Sequence, residues 1–266
     1  MYSTRVSSLV YYLYGIGWSE ELAPILSDPG RLADLPPDLM LISAQDLSGV
    51  VKPVPEKDFG EDALVERVRD VDWLTVQATR HNAILSLITR EATVIPLKFG
   101  LVFHNEENVR IRLETDYDRC VRQLRMLCNR QEWGVKVYAD LERIKSVVLA
   151  QDTVTPVGSS PGRAYIMQRR AQLSVSEKAR DLARNHARQV LESLERVTVR
   201  WRTNQVLSRE ATGRTDDMML NAVFLVEAGT QESFCDLVRQ LDGAIKGIAL
   251  ELSGPWPPYN FTADSE

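Results

Sequence analysis

The stretch Val10-Tyr11-Tyr12-Leu13-Tyr14-Gly15-Ile16 carries no charge, and nearly all of its residues favour β-structure. Val10, Tyr12 and Tyr14 alternate with Tyr11, Leu13 and Gly15, so neither set offers a face to water. The run predicts a central strand buried on both sides. A short acidic helix is expected next, over about Ser19 to Leu26, ended by the turn signal Ser27-Asp28-Pro29-Gly30. Met40-Leu41-Ile42-Ser43 and Gly49-Val50-Val51-Lys52-Pro53-Val54 flank Gln45-Asp46-Leu47-Ser48 as a hairpin would. Leu64, Val68, Val71, Leu74, Ala78, Leu85 and Ile88 then mark one apolar helical stripe, with Asp58, Glu61 and Asp62 at its positive end. Thr93-Val94-Ile95-Pro96-Leu97 reads as a strand, and its proline places it near an edge or a bulge. The order is β-α-β-β-α-β.

The remainder repeats that order. Asn105 to Arg130 is predicted as a helix, and Gly134-Val135-Lys136-Val137-Tyr138 as a strand. Extra helical material lies near 140–149, and residues 151–162 form the only linker-like stretch. A long helix is expected from about Arg163 to Arg196, with Leu182, Ala183, Val190, Leu191 and Leu194 on its apolar face. Strands follow at Val197–Arg202, Met218–Val226 and Ile248–Leu252, with a helix marked by Phe234, Leu237, Val238, Leu241 and Ile245 before the last. The fold class expected is α+β: two tandem ferredoxin-like domains with extra helices and a Pro/aromatic C-terminal tail. The domains are taken as 1–130 and 131–266, the second carrying the tail.

Composition narrows the function. The chain has 266 residues, 44% hydrophobic and 26% charged, in the range of globular proteins. Its longest uncharged apolar runs, such as Leu9 to Ile16, are far short of a membrane span. The start, Met1-Tyr2-Ser3-Thr4-Arg5, lacks the plan of a signal peptide, and a cytoplasmic location is expected. Net charge is −5, which disfavours nonspecific nucleic-acid binding. One basic region departs from this balance: Arg163, Arg169, Arg170, Lys178, Arg180, Arg184, Arg188, Arg196, Arg200 and Arg202 are opposed only by Glu177, Asp181, Glu192 and Glu195. The expected strands lack the basic-Gly-aromatic pattern of an RNA-recognition sheet.

Little points to catalysis. The three cysteines, Cys120, Cys128 and Cys235, form no disulfide framework and read as buried thiols. The three histidines, His81, His104 and His186, show no metal-ligand spacing; His81 and His186 are taken as surface or boundary residues and His104 as a capping or solvated one. Asp216-Asp217 has no third carboxylate in register for a metal. No phosphate loop, dinucleotide fingerprint or nucleophile elbow occurs. No enzyme activity, cofactor or metal is expected.

The end of the chain, Gly254-Pro255-Trp256-Pro257-Pro258-Tyr259-Asn260-Phe261, is proline-locked and aromatic. It is expected to lie as an extended ribbon, outside any sheet or helix interior, with Trp256, Tyr259 and Phe261 seeking apolar cover. This segment resembles the C-terminal signature of the gas vesicle protein GvpF/GvpL family. Tyr12-Leu13-Tyr14-Gly15-Ile16, Val94-Ile95-Pro96-Leu97-Lys98-Phe99-Gly100, Glu132-Trp133-Gly134-Val135-Lys136-Val137-Tyr138, Gly162-Arg163-Ala164-Tyr165 and Leu220-Asn221-Ala222-Val223-Phe224-Leu225-Val226 agree with it in order.

The resemblance implies a minor gas vesicle assembly protein, associated with the shell, that binds the hydrophobic shell protein GvpA and is not an enzyme. Other accessory gas vesicle proteins are implied partners. Residues placed at partner contacts are Lys98 and Phe103 at midchain, Arg180, Arg184 and Arg188 on the basic helix, and Trp256, Tyr259 and Phe261 in the tail. Two further readings stand beside it. One is a scaffold that joins accessory vesicle proteins without touching GvpA; the other is a small-molecule-binding regulatory protein, since such folds host many functions.

Overall fold

The computed structural model describes residues 8–28, 34–151 and 161–262. Pro29 and Gly30 of the expected turn, and most of the expected linker at 151–162, lie outside the described residues. The chain divides into two compact units, Met1–Asn129 with Trp256–Glu266, and Arg130–Pro255. The sequence reading assigns the tail to the second half; by its contacts it groups with the first.

The first unit begins with β1 (Leu9–Trp18), α1 (Ser19–Ser27), β2 (Met40–Ala44) and β3 (Leu47–Pro55). Helices α2 (Glu56–Phe59), α3 (Glu61–Arg67) and α4 (Val71–Ile88) lead to β4 (Val94–Pro96) and β5 (Val102–Phe103). Helices α5 (Glu106–Thr115) and α6 (Tyr117–Leu127) complete it. The antiparallel sheet runs β2-β3-β1-β4, with β5 also paired to β1. β1 is central, as its uncharged sequence requires, and Pro96 sits on the edge strand, where a missing donor costs no ladder bond. Val10, Tyr12 and Tyr14 share a core with Leu22 and Ile25 of α1 and Ile84, Leu85 and Ile88 of α4. Strand alternation turns Leu13 the other way, and α5 and α6 pack on the strands with Val109, Leu113, Cys120, Leu124 and Leu127 buried. Gly15 permits the β1–β4 approach: a Cβ there would lie 2.6 Å from Val94 Cγ1 and 2.9 Å from the Ile95 carbonyl oxygen.

The second unit contains β6 (Arg130–Ala139), α7 (Leu141–Gln151), α8 (Pro161–Glu195), β7 (Arg200–Thr203), α9 (Arg209–Thr212), β8 (Asp217–Glu227), α10 (Gln231–Leu241) and β9 (Ile248–Trp256). Its antiparallel sheet runs β7-β8-β6-β9. In both units the first strand is inside the sheet, flanked by the third and the last. That order is compatible with the ferredoxin-like expectation. The core joins Val135, Val137, Ala222 and Phe224 to Ala179, Ala183, Ala187 and Val190 of α8 and Phe234 of α10. Among the described residues no helix is long and apolar enough to cross a membrane.

Several local expectations are corrected. The β2–β3 turn is tighter than expected, because Leu47 and Ser48 are wholly buried strand residues and Gln45 takes a φ of 55°. The single helix expected through Leu64 to Ile88 is broken: Asp70 caps α4 by accepting from Asp72 N and Trp73 N, both at 3.1 Å. That break leaves Val68 and Val71 exposed. The helix expected over Asn105 to Arg130 is likewise divided at Asp116, between α5 and α6. Strand β9 runs on through Gly254-Pro255 (joined by a cis peptide) to Trp256, which an edge strand tolerates. Past Pro257 and Pro258, residues Tyr259–Thr262 form one helical turn, α11, rather than an extended ribbon. The buried Pro258 sets the φ needed at a helix start.

Candidate functional site: an aromatic-floored groove

Tyr12 and Tyr14 project from β1 toward α4, where His81 meets both. The rings of Tyr14 and His81 stack at 5.3 Å, and Tyr12 lies edge-on to His81 at 5.6 Å and to Phe59 at 5.8 Å. Phe99 lies 5.9 Å from Tyr12 and 6.0 Å from His81, and Tyr259 of α11 stacks on His81 at 6.4 Å. Hydrogen bonds fix the protons within this cluster. The Leu97 carbonyl, 3.0 Å from His81 Nε2, can only accept, so Nε2 carries the hydrogen. His81 Nδ1 therefore accepts from the Tyr12 hydroxyl at 2.8 Å, and that oxygen accepts from Gly100 N–H at 3.0 Å. Gly100 has a φ of 94°, a conformation that favours glycine. β1, α4 and the midchain segment Leu97–Gly100 are thereby tied through one neutral imidazole.

Burial holds these groups uncharged. It pushes the Tyr12 hydroxyl well above the usual phenol range and lowers His81, with the Leu97 bond opposing the latter. Tyr14 is pushed up to about 12, first by burial and then by the nearby Asp38 charge; burial also takes Tyr259 to about 12. Neutral phenols and a neutral imidazole offer hydrogen bonds and ring faces. The Tyr12 hydroxyl and both His81 nitrogens are taken up by one another, by Gly100 N–H and by the Leu97 carbonyl, so what the cluster presents outward is ring surface.

Above the cluster lies a groove of ≈ 570 Å³, within the roughly 300–1,000 Å³ range of ligand pockets. Tyr12, Tyr14, Phe59, His81 and Phe99 make its floor, Ile84 and Leu87 of α4 one wall, and Pro53 to Pro55 of β3 the other. Lys52 and Asp38, paired at 2.9 Å, together with Arg80, supply charge around it. A second cleft of ≈ 400 Å³ is lined by Leu97, Lys98, Arg112, Asp116 and Tyr259, among others. A third, of ≈ 430 Å³, is lined by Val10, Leu64, Val65, Val102 and Phe103.

The residues singled out from sequence are dispersed. Lys98 is exposed and lines the second cleft with Tyr259; Phe103, half-buried, lines the third. Trp256 is 44% exposed, whereas Phe261 is 4% exposed and belongs to the packing of α11. Arg180, Arg184 and Arg188 share an exposed face of α8, where Arg184 pairs with Asp181 at 3.5 Å and Arg188 donates to Asn185 Oδ1 at 3.3 Å. Asp216 and Asp217 are taken up by arginines: Arg214 donates to Asp216 at 3.0 and 2.9 Å, and Arg209 to Asp217 at 2.6 and 2.9 Å.

Two readings from sequence are overturned. His81 and His186 are buried, not surface residues, at 4% and 5% exposure. Cys128 is exposed, because it ends α6 as its C-cap, while Cys120 and Cys235 are buried with their thiols pushed up by burial. His104 is exposed, in keeping with the solvated one of its two expected roles, and Asn105 caps α5, accepting from Asn108 N at 2.9 Å. The Tyr12–Tyr14–His81 cluster was missed from sequence, although a signal exists: His81 falls within the Leu74, Ala78, Leu85, Ile88 stripe at helical spacing.

Comparison with known proteins agrees with this architecture. Residues 10–263 match the family described as "Gas vesicle synthesis protein GvpL/GvpF". Gas vesicle protein L of a Streptomyces species is 33% identical over 231 residues, covering 85% of this chain and 84% of that protein. Gas vesicle protein F2 of Halobacterium salinarum is 25% identical over 224 residues, covering 83% and 78%. The crystal structure of the gas vesicle protein GvpF from an Anabaena species superposes with a TM-score of 0.62 at 18% identity, covering 97% of this chain and 98% of that one. The GvpF crystal structure from Microcystis aeruginosa gives 0.59 at 14% identity, covering 96% and 99%. At those identities the structures speak for the fold. The chain belongs to the GvpL/GvpF family of gas vesicle synthesis proteins.

Proposed function

We propose that this protein binds the hydrophobic shell protein GvpA, chiefly through its first unit, and so helps to nucleate or build the vesicle without catalysing a reaction. The observation that carries this reading is the ring-floored groove beside α4. A shell subunit apolar enough to line a gas space would aggregate in water before incorporation. A groove of ≈ 570 Å³ with Tyr12, Phe59, Phe99, Ile84 and Leu87 around it can receive the anchor side chains of an amphipathic helix. Apolar burial would drive such binding, and Lys52, Asp38 and Arg80 would set its direction. Lys98, Phe103 and the tail residues Trp256, Tyr259 and Phe261 are proposed as accessory contacts or as supports of the cleft beside it. The vesicle shell is the proposed location.

The test is retention of co-expressed GvpA by the full chain and two full-length variants. Leu87→Asp puts a charge in the groove wall and should abolish retention while the chain stays folded. Arg180→Glu with Arg184→Glu and Arg188→Glu should leave retention intact. The reverse pattern would favour the scaffold reading, which the exposed arginine face of α8 supports, with contact to the accessory proteins through that face.

A further inference from the structure

The sheet of the second unit ends at β7, and the chain beyond β7 continues along the sheet instead of leaving it. Val199 N–H donates to the Leu225 carbonyl at 2.9 Å and Asn204 N–H to the Asn221 carbonyl at 2.7 Å. Asn221 Nδ2 then donates to the Gln205 carbonyl at 3.0 Å. One side of the ribbon 199–205, about 23 Å long at strand spacing, is therefore held by β8. On its other side β7 has no neighbouring strand among the described residues. Backbone direction alternates along a strand, and Asn204 turns its N–H toward β8. Arg202 and Arg200 do the same, which leaves the N–H and C=O groups of Trp201 and Thr203 aimed away from the sheet.

An edge with free backbone groups is a template for another strand. Large apolar side chains flank this one: Val197 is 46% exposed, Val199 38%, Val206 47% and Leu207 41%. The charge on it is selective. Arg196 and Arg200 are exposed, and Arg200 and Arg202 lie on one face of the strand. A second copy of the same edge, paired about Trp201 or Arg202, would bring guanidinium opposite guanidinium, which is unfavourable across a ladder. A carboxylate opposite Arg200 would instead meet a cation, with the apolar residues on either side of it turned to the other face.

We propose that the β7 edge takes up an extended acidic segment of a partner protein, one that alternates Asp or Glu with apolar residues, as an added strand of the sheet. Main-chain hydrogen bonds to Trp201 and Thr203 hold the segment, and the exposed Arg200 selects a carboxylate opposite it. The surface lies in the second unit, so it stands or falls apart from the GvpA reading.

The experiment is fluorescence anisotropy of a labelled octapeptide alternating Glu with Val, titrated with the full chain. Saturable binding that weakens as salt rises is expected, with no binding of a Lys–Val peptide of the same length. Arg200→Glu should weaken binding at least about ten-fold, as loss of a charge-assisted pair does. Thr203→Pro should abolish it, since proline removes an outward donor and no bond to β8. Should Thr203→Pro lower the melting temperature, the exposed Arg200→Glu change still decides. Equal binding of the two peptides, undiminished binding by a folded Arg200→Glu variant, or no saturable binding would overturn the proposal. So would self-association of the chain that Thr203→Pro abolishes, which would make the occupant a second copy.

Discussion

Between α4 and the sheet of the first unit lie Tyr12, Tyr14 and His81, whereas in the second unit Ala179, Ala183 and Ala187 of α8 meet Val135, Val137, Ala222 and Phe224 of the sheet. The two sheets have their strands in corresponding order, yet they are filled by different means. Alanine every fourth residue gives α8 a smooth stripe that can approach the sheet closely. Rings and an imidazole cannot close up in that way; each polar atom must find a partner, and the space left above the rings is a groove. Topology fixes where helices cross the sheet. Side-chain shape decides whether the crossing becomes a sealed core or a surface that receives something.

The largest effect expected from this contrast is in the sealed core. Phe224 is fully buried and its ring lies 5.7 Å from that of Phe234. Phe224→Ala should cost about 3–5 kcal/mol, because the surrounding aliphatic side chains cannot collapse fully into the space. Denaturant titration measures it directly. A loss below about 1 kcal/mol would mean that the second unit is packed loosely, and the contrast with the grooved unit would disappear.

A smaller loss is expected where polar partners are severed in the first unit. Tyr12→Phe keeps the ring and removes one oxygen, leaving Gly100 N–H and His81 Nδ1 both without a partner there. Stranding a buried polar group costs about 1–3 kcal/mol. The same titration, with amide exchange at Gly100 as a local readout, checks it. Unchanged exchange at Gly100 would show that the hydroxyl does not hold the midchain segment.

How much of this was legible beforehand depended on what kind of signal each element carries. β1, β8 and the long helix α8 announce themselves, since uninterrupted periodicity reports burial that the rest of the fold then satisfies. Asp70 was harder: an acidic residue inside an apolar stripe becomes a cap only because the chain turns there, and composition alone does not show the turn. The tail was misread for a related reason. Pro255 excludes a central strand but not an edge one, and β9 is an edge. The groove was illegible as a groove. Tyr12, His81 and Gly100 lie far apart in sequence, and only the sheet order and the α4 crossing bring their polar atoms within 3.0 Å of one another.

The histidines give the subtlest test of the two-core comparison. His81 in the polar cluster and His186 on α8 are each buried, and burial lowers both below the usual imidazole range. For His81 the Leu97 carbonyl opposes the shift, and for His186 Gln189 and the Leu241 carbonyl do so. Both are neutral when folded, while in the unfolded chain each takes a proton near about pH 6.5. Their contribution is therefore fully present above that pH. As the pH falls through it, the unfolded state gains protons that the folded state refuses, and stability declines until the folded imidazoles titrate. Stability measured from pH 7.5 down to 5.5 should fall for the native chain and fall less for His81→Gln, whose amide can still accept from Tyr12 and donate to Leu97. His186→Gln should flatten the same interval through the second unit. An unchanged slope in both variants would assign the acid sensitivity to other groups and remove the histidines from the comparison.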